Sequence, residues 1–125
     1  MTNQVMSRSN SEARALMEKA KLMLLLFPWR AFVSIVKVFM FGAFKYAPEN
    51  WRGMMLEGQQ HQFLEAIMRH ALRIQSGETI DPDTGEPHAA HIGCNAAMLT
   101  WDALATPEEK AKYEGMRTNA KESIK

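Results

Sequence analysis

The most apolar stretch of the chain runs from Ala20 to Phe44 and is long enough to cross a bilayer, yet Pro28 and Arg30 sit near its middle and Lys37 follows. A charge at bilayer depth costs about 2.5–3.5 kcal/mol even on the lenient insertion scale, and proline has no N–H with which to continue a helix. The run therefore predicts two helical segments meeting at Pro28, not a membrane span. The first is expected from Ser11 to about Leu26, with Ser11 as N-cap, Glu12 in the first turn, and Leu16, Met23 and Leu26 apolar along one side. The second opens at Pro28, where the missing N–H is not needed, and runs to about Phe44. Residues 1–10 are polar and read as a disordered tail, and with charged residues and no apolar core among the first twenty a signal peptide is not expected.

Ala47-Pro48-Glu49-Asn50 breaks the pattern, because proline pushes the residue before it out of the helical region, and a loop is expected to about Gly58. From Gln59 to Gln75 a helix is predicted whose core side carries Phe63, Ile67, Ala71 and Ile74. Gly77 closes it, Thr79 to Glu86 reads as a turn-rich loop, and Pro87 opens a helix to about Leu104. Thr106-Pro107-Glu108-Glu109 marks the start of a short last helix. No segment alternates as a strand does, so the fold class predicted is all-α, a single domain of about four to five helices over residues 11–125. At 125 residues with 46% apolar and 23% charged side chains, one core is affordable and a second domain is not expected. Fifteen basic against fourteen acidic residues leave a net charge of +1, which argues against a DNA or RNA polymer or an anionic membrane as partner. A single cysteine, Cys94, excludes an internal disulfide and a Cys-based zinc finger, fits a reducing, cytoplasmic setting, and reads as a small buried filler. The ten methionines read as core packing.

Several residues do not look like packing. His70 projects onto the same side as Phe63, Ile67 and Ile74, whereas Glu65 and Arg69 project almost opposite as a solvated pair. In the next helix His88, His91, Asn95 and Asp102, spaced by three, four and seven, form one polar stripe beside Ile92 and Leu99. Small residues there, Ala89, Ala90, Gly93, Ala96 and Ala97, permit close approach of the helix bearing His70. Glu78, Asp81, Asp83 and Glu86 lie on the connecting loop. Neutral imidazoles with carboxylates suit a divalent cation, the oxygens favouring magnesium or manganese and the added imidazoles tilting toward manganese, iron or zinc. Taken singly, each group also reads as a hydrogen-bonded core histidine or a helix cap; together they read as a site. A second group, Gly42-Ala43-Phe44-Lys45-Tyr46 followed by Asn50-Trp51-Arg52, combines cations for phosphate with rings for a base. The alternative is that Tyr46 and Trp51 fill the core while Lys45 and Arg52 face water.

In order and spacing, Pro28-Trp29-Arg30, Gly42 to Tyr46, Asn50-Trp51-Arg52, Arg69-His70, Gly77-Glu78, Asp81, Gly85, His88, His91 and Asn95 resemble the phage and bacterial family of dATP/dGTP diphosphohydrolase N-terminal domains. The resemblance covers about Pro28 to Leu104 and implies a small α-helical, phage-encoded protein of the bacterial cytoplasm. It further implies divalent-metal-dependent hydrolysis of purine deoxynucleoside triphosphates to monophosphate and pyrophosphate. The paired carboxylates with which better-known all-α nucleotide pyrophosphohydrolases bind magnesium are absent: only Glu65 is present on one helix, and His88, His91 and Asn95 stand on the next. On this reading His70, Glu78, Asp81, His88 and His91 hold the magnesium or manganese, and His70, Glu78 and Asn95 form the catalytic group. Lys45, Arg52 and Arg69 neutralise the triphosphate, and Tyr46, Asn50 and Trp51 contact the rest of a dATP/dGTP-like nucleotide. The rival expectations are a non-catalytic nucleotide-binding module and a small helical interaction protein, and the apolar surface between residues 22 and 44 makes a homo-oligomer an expectation as well.

Overall fold

The computed structural model describes residues 7–114, which form six α-helices and a short 3-10 turn with no strand among them. They are α1 (Asn10–Lys19), α2 (Trp29–Lys45), α3 (Asn50–Leu56), α4 (Gln60–Gln75), α5 (His88–Leu104) and α6 (Pro107–Ala111), with the 3-10 turn at Leu24–Leu26. The first six residues of the expected tail and residues 115–125 of the expected domain lie outside the described residues.

The architecture is organised around α5. α4 packs antiparallel to it, since His70 meets His88 at one end while Gln60 bonds Asp102 at the other. α2 lies on α5 in the parallel sense: Ile35 meets Gly93, and Phe39 and Met98 flank a core of Val38, Ala90 and Cys94. Gly93 permits this approach, because a Cβ there would lie 2.8 Å from Ile35 Cδ1. The small residue thus serves the packing of α2. At the end of α5 remote from His88, Trp51 of α3 stacks edge-on against Phe39 and Trp101, with ring centroids 6.2 and 5.2 Å apart.

Several expectations are corrected. The first helix begins after Ser9, whose Oγ accepts from the Glu12 amide at 3.2 Å, and not after Ser11. Ser9 and Glu12 have the spacing of a capping box. The helix ends at Lys19 and not near Leu26, for a physical reason: α1 buries no residue, and a short helix without a packed face is marginal in water. The loop expected after Pro48 contains α3, held by Met55, which is 2% exposed, and by the half-buried Trp51. Ala71 and Ile74 are exposed, because the face α4 turns to α5 centres on Phe63, Ile67 and His70. Of the methionines, Met55 is core, whereas Met17, Met23, Met40 and Met68 are exposed on faces that no described residue covers. Cys94 is buried as expected, and Thr106 caps α6 through the Glu109 amide. Among the described residues no single helix is long and apolar enough to cross a membrane; α2 and α3 together pass on length and composition but are bent by 86°.

Candidate metal centre

The site begins with the way α4 ends. Gly77, at φ 100°, lets the chain reverse: its amide bonds Ile74 O and the Glu78 amide bonds Arg73 O, both at 3.0 Å, the paired bonds of a Schellman motif. Glu78 is thereby delivered beside the start of α5. The loop then closes on itself as a small hairpin. Asp81 N donates to Glu86 O and His88 N to Thr79 O, each at 2.9 Å, around a bridge between Ile80 and Pro87. Gly85, at φ 75°, completes the turn by donating to Asp81 O. One carboxylate oxygen of Asp81 is used locally, Oδ1 accepting from Asp83 N at 2.8 Å, which leaves Oδ2 aimed at the helices.

Three imidazoles meet that oxygen. His70 from α4 and His88 from α5 face each other with Nδ1 atoms 2.8 Å apart, and His91, one turn further along α5, stacks on His70 with ring centroids 4.4 Å apart. Asp81 Oδ2 lies 3.4 Å from His91 Nε2 and 4.0 Å from His70 Nδ1. Asp81, His88 and His91 are 8%, 3% and 9% exposed, so these polar groups have left water and must satisfy one another. Glu78 Oε1 accepts from His88 Nε2 at 2.7 Å, which places that ring's proton on Nε2 and turns its Nδ1 lone pair toward His70. Thr84 Oγ1, 2.8 Å from His91 Nε2, orients the third ring.

At His70 and His91 the electrostatics favour the neutral ring. Burial pushes His70 below the ordinary imidazole range, reinforced by the neighbouring His91 and His88 and opposed by Asp81. Burial likewise lowers His91, against the pull of Asp81. Neutral imidazole is the form that ligates metal. Donor atoms of His70, Asp81 and His88 all lie within 4.8 Å of one another, and a carboxylate–histidine pair, Glu78 with His88, backs the group as such pairs back metal ligands. The donor set therefore fits a divalent cation.

Of the five sequence-predicted ligands, His70, Asp81 and His88 bring donor atoms together, His91 packs beside them against Asp81, and Glu78 stands behind His88 on its far ring nitrogen. Asn95 is one turn further along α5, where its Nδ2 donates to His91 O at 2.8 Å. Asp102 leaves the stripe altogether: it pairs with Gln60 and Lys110 at the other end of α5. Arg69 is exposed beside His70. Lys45, Tyr46, Asn50, Trp51 and Arg52 gather at the far end, where Lys45 lies over the Phe41 and Tyr46 rings and Asn50 Nδ2 contacts Met54 Sδ. Arg52 pairs with Glu49 and is enclosed by Trp51, Trp101 and Tyr113, with its guanidinium 4.3–5.1 Å from their centroids. Trp101 stands thirteen residues beyond His88, about 20 Å along the axis at ~1.5 Å per residue. Sequence reasoning missed Thr84, whose place in a turn after two aspartates gives no sign that its hydroxyl reaches a histidine seven residues on.

The family model described as dATP/dGTP diphosphohydrolase, N-terminal, matches residues 9–112. A protein of Salmonella phage PMBT28 named dATP/dGTP diphosphohydrolase is 31% identical over 68 residues, which are 54% of this chain and 22% of that protein. The matched region therefore spans about a fifth of that relative's length. No solved structure matches.

Proposed function

Because the chain belongs to the dATP/dGTP diphosphohydrolase N-terminal family, we propose that it hydrolyses purine deoxynucleoside triphosphates to monophosphate and pyrophosphate at the histidine–aspartate cluster. The observation that carries this reading is the convergence of His70, His88 and Asp81 donor atoms within 4.8 Å at a site largely removed from water. His70, Asp81, His88 and His91 would hold magnesium or manganese. The cation would supply Lewis-acid polarisation of a phosphoryl oxygen and a more acidic water. The chain's own groups do the positioning. Glu78 keeps the His88 proton on Nε2, Thr84 and Asp81 orient His91, and the Asn95 amide ties the first turns of α5 together. Attack of water on the α-phosphorus breaks the bond to the bridging oxygen and releases pyrophosphate, and Arg69 is the cation on α4 nearest in sequence to the ligands.

A second reading, a metal and nucleotide binding module without turnover, is favoured by one observation. Glu78 and Asn95, both expected in the catalytic group, are engaged, by His88 and by the His91 carbonyl. Pyrophosphate release by the purified protein over all eight common NTPs and dNTPs, with magnesium, manganese or EDTA, separates the two. Release confined to purines, blocked by EDTA and abolished in a folded His91→Ala variant, is the expected result. A folded protein that binds manganese and releases nothing would leave the binding module.

A further inference from the structure

Beside the histidine cluster lies a cavity of about 360 Å³ lined by Trp29, Arg30, Val33, Ser34, Lys37 and Glu86. Arg30, Ser34 and Lys37 stand at i, i+4 and i+7 on α2, so their side chains share one face of that helix. Neither Arg30 nor Lys37 makes an ion pair among the described residues. The Ser34 hydroxyl is shut off from water and has no hydrogen-bond partner, an exception to the rule that buried polar atoms are paired. Trp29, 72% exposed, leaves an indole at the same end of α2.

The opposite wall connects the cavity to the cluster. Glu86 N donates to Thr84 Oγ1 at 3.3 Å, and Thr84 Oγ1 contacts His91 Nε2 at 2.8 Å, so the Glu86 wall is one hydrogen-bonded residue from a ligand of the proposed cation. Ile35, on a different side of α2, packs on Gly93, and Glu86, which shares the cavity with Arg30, Ser34 and Lys37, stands two residues before α5. The cations of the second sequence group lie at the other end of α5, with Arg52 already paired to Glu49. From these placements we propose that the Arg30–Ser34–Lys37 face is the binding site for the polyphosphate chain of a nucleoside triphosphate. Arg30 and Lys37 contact phosphate oxygens, the Ser34 hydroxyl donates to a third, and Trp29 offers its face to the base. Glu86 opposes a bare small anion and favours a phosphate chain that arrives with its divalent cation. The proposal deepens the nucleotide reading above and rests on it.

The test measures binding, by calorimetry in the presence of manganese, of inorganic tripolyphosphate and of a non-hydrolysable α,β-methylene analogue of dATP. Wild type is compared with Arg30→Ala, Lys37→Ala, Lys37→Arg and a charge-matched control on α1, Arg14→Ala. Each alanine variant at the groove is expected to weaken both ligands about tenfold, with Lys37→Arg recovering most of the loss, the control unchanged, and the melting temperature and manganese affinity kept. Unaltered affinity in both groove variants would overturn the proposal, as would a wild type that binds neither probe or that binds a DNA oligonucleotide more tightly than tripolyphosphate. The two readings fail separately. Absent pyrophosphate release with groove-dependent tripolyphosphate binding removes hydrolysis and keeps the groove. Release with wild-type KM in an Arg30→Ala, Lys37→Ala double variant keeps hydrolysis and removes the groove.

Discussion

Replacing Glu78 by alanine tests how the histidine cluster is built, because Glu78 faces the ring nitrogen of His88 that points away from the other ligands. His88 is 3% exposed, so the Nε2–H left behind has little access to water. A hydrogen bond to a charged group contributes about 1.5–3 kcal/mol, but the Glu78 side chain is 41% exposed and water can replace part of it, which brings the expected loss to about 1–2 kcal/mol. For a domain near this size that is a fall in Tm of roughly 4–8 °C, read by circular dichroism in EDTA. The second effect is on the metal. Without Glu78 the His88 proton is free to move to Nδ1 and occupy the lone pair aimed at His70, so manganese affinity should drop about 10–100-fold, as it does when partners behind metal-binding histidines are removed. Glu78→Gln keeps a neutral acceptor and should recover most of the thermal stability with an intermediate metal affinity. If Glu78→Ala lowers Tm but binds manganese with the wild-type Kd, the proton on His88 does not control the site and the reasoning is wrong.

The metal-free chain should lose stability as pH falls below about 6.5, because His70 and His91 are held below that value in the fold while the unfolded chain takes up protons through it. The stability is fully present above pH 6.5 and the loss levels off once pH is below the folded pKa values; a Tm that rises from pH 7 to pH 5.5 in EDTA would contradict this. Cys94, whose thiol burial pushes up to about 12, should resist alkylation by iodoacetamide at pH 8 in the native state and react once the chain is unfolded. Prompt native labelling would show that the α2–α5 core opens readily. Arg52→Ala should lower Tm, since each exposed cation–ring contact contributes about 0.5–1 kcal/mol and three rings surround the guanidinium, yet leave manganese affinity unchanged. A loss of metal binding in that variant would mean that the two ends of α5 are coupled.

Local features of the chain were readable without a structure because their physical causes lie within a few residues. Pro28 and Pro87 open helices, Gly77 ends one with a left-handed residue, and Thr106 caps another; each acts through backbone geometry or hydrogen bonds reaching at most five positions. The same holds for the histidine faces, as His88 and His91 are one turn apart and His70 shares its side of α4 with Phe63. Where stability comes from packing, the sequence pattern misled. The leucines before Pro28 have high helix propensity but no face to cover, so α1 stops at Lys19, and Trp51 with Met55 form a helix where local signals indicated a loop.

The polar stripe on α5 shows the boundary most clearly. Helical periodicity places His88, His91, Asn95 and Asp102 in one direction from the axis, and that much was determined by spacing alone. Direction is not height: Asp102 is fourteen residues from His88, about 21 Å at ~1.5 Å per residue, and joins Gln60 and Lys110 instead of the histidines. Which loop oxygen faces which ring, that Gly93 admits α2 and not α4, and that Arg30 and Lys37 rather than Lys45 and Arg52 share a cavity with Glu86 of the loop were decided by the sense in which α2 and α4 pack on α5. That choice depends on contacts between residues tens of positions apart, which no periodicity within a single helix encodes.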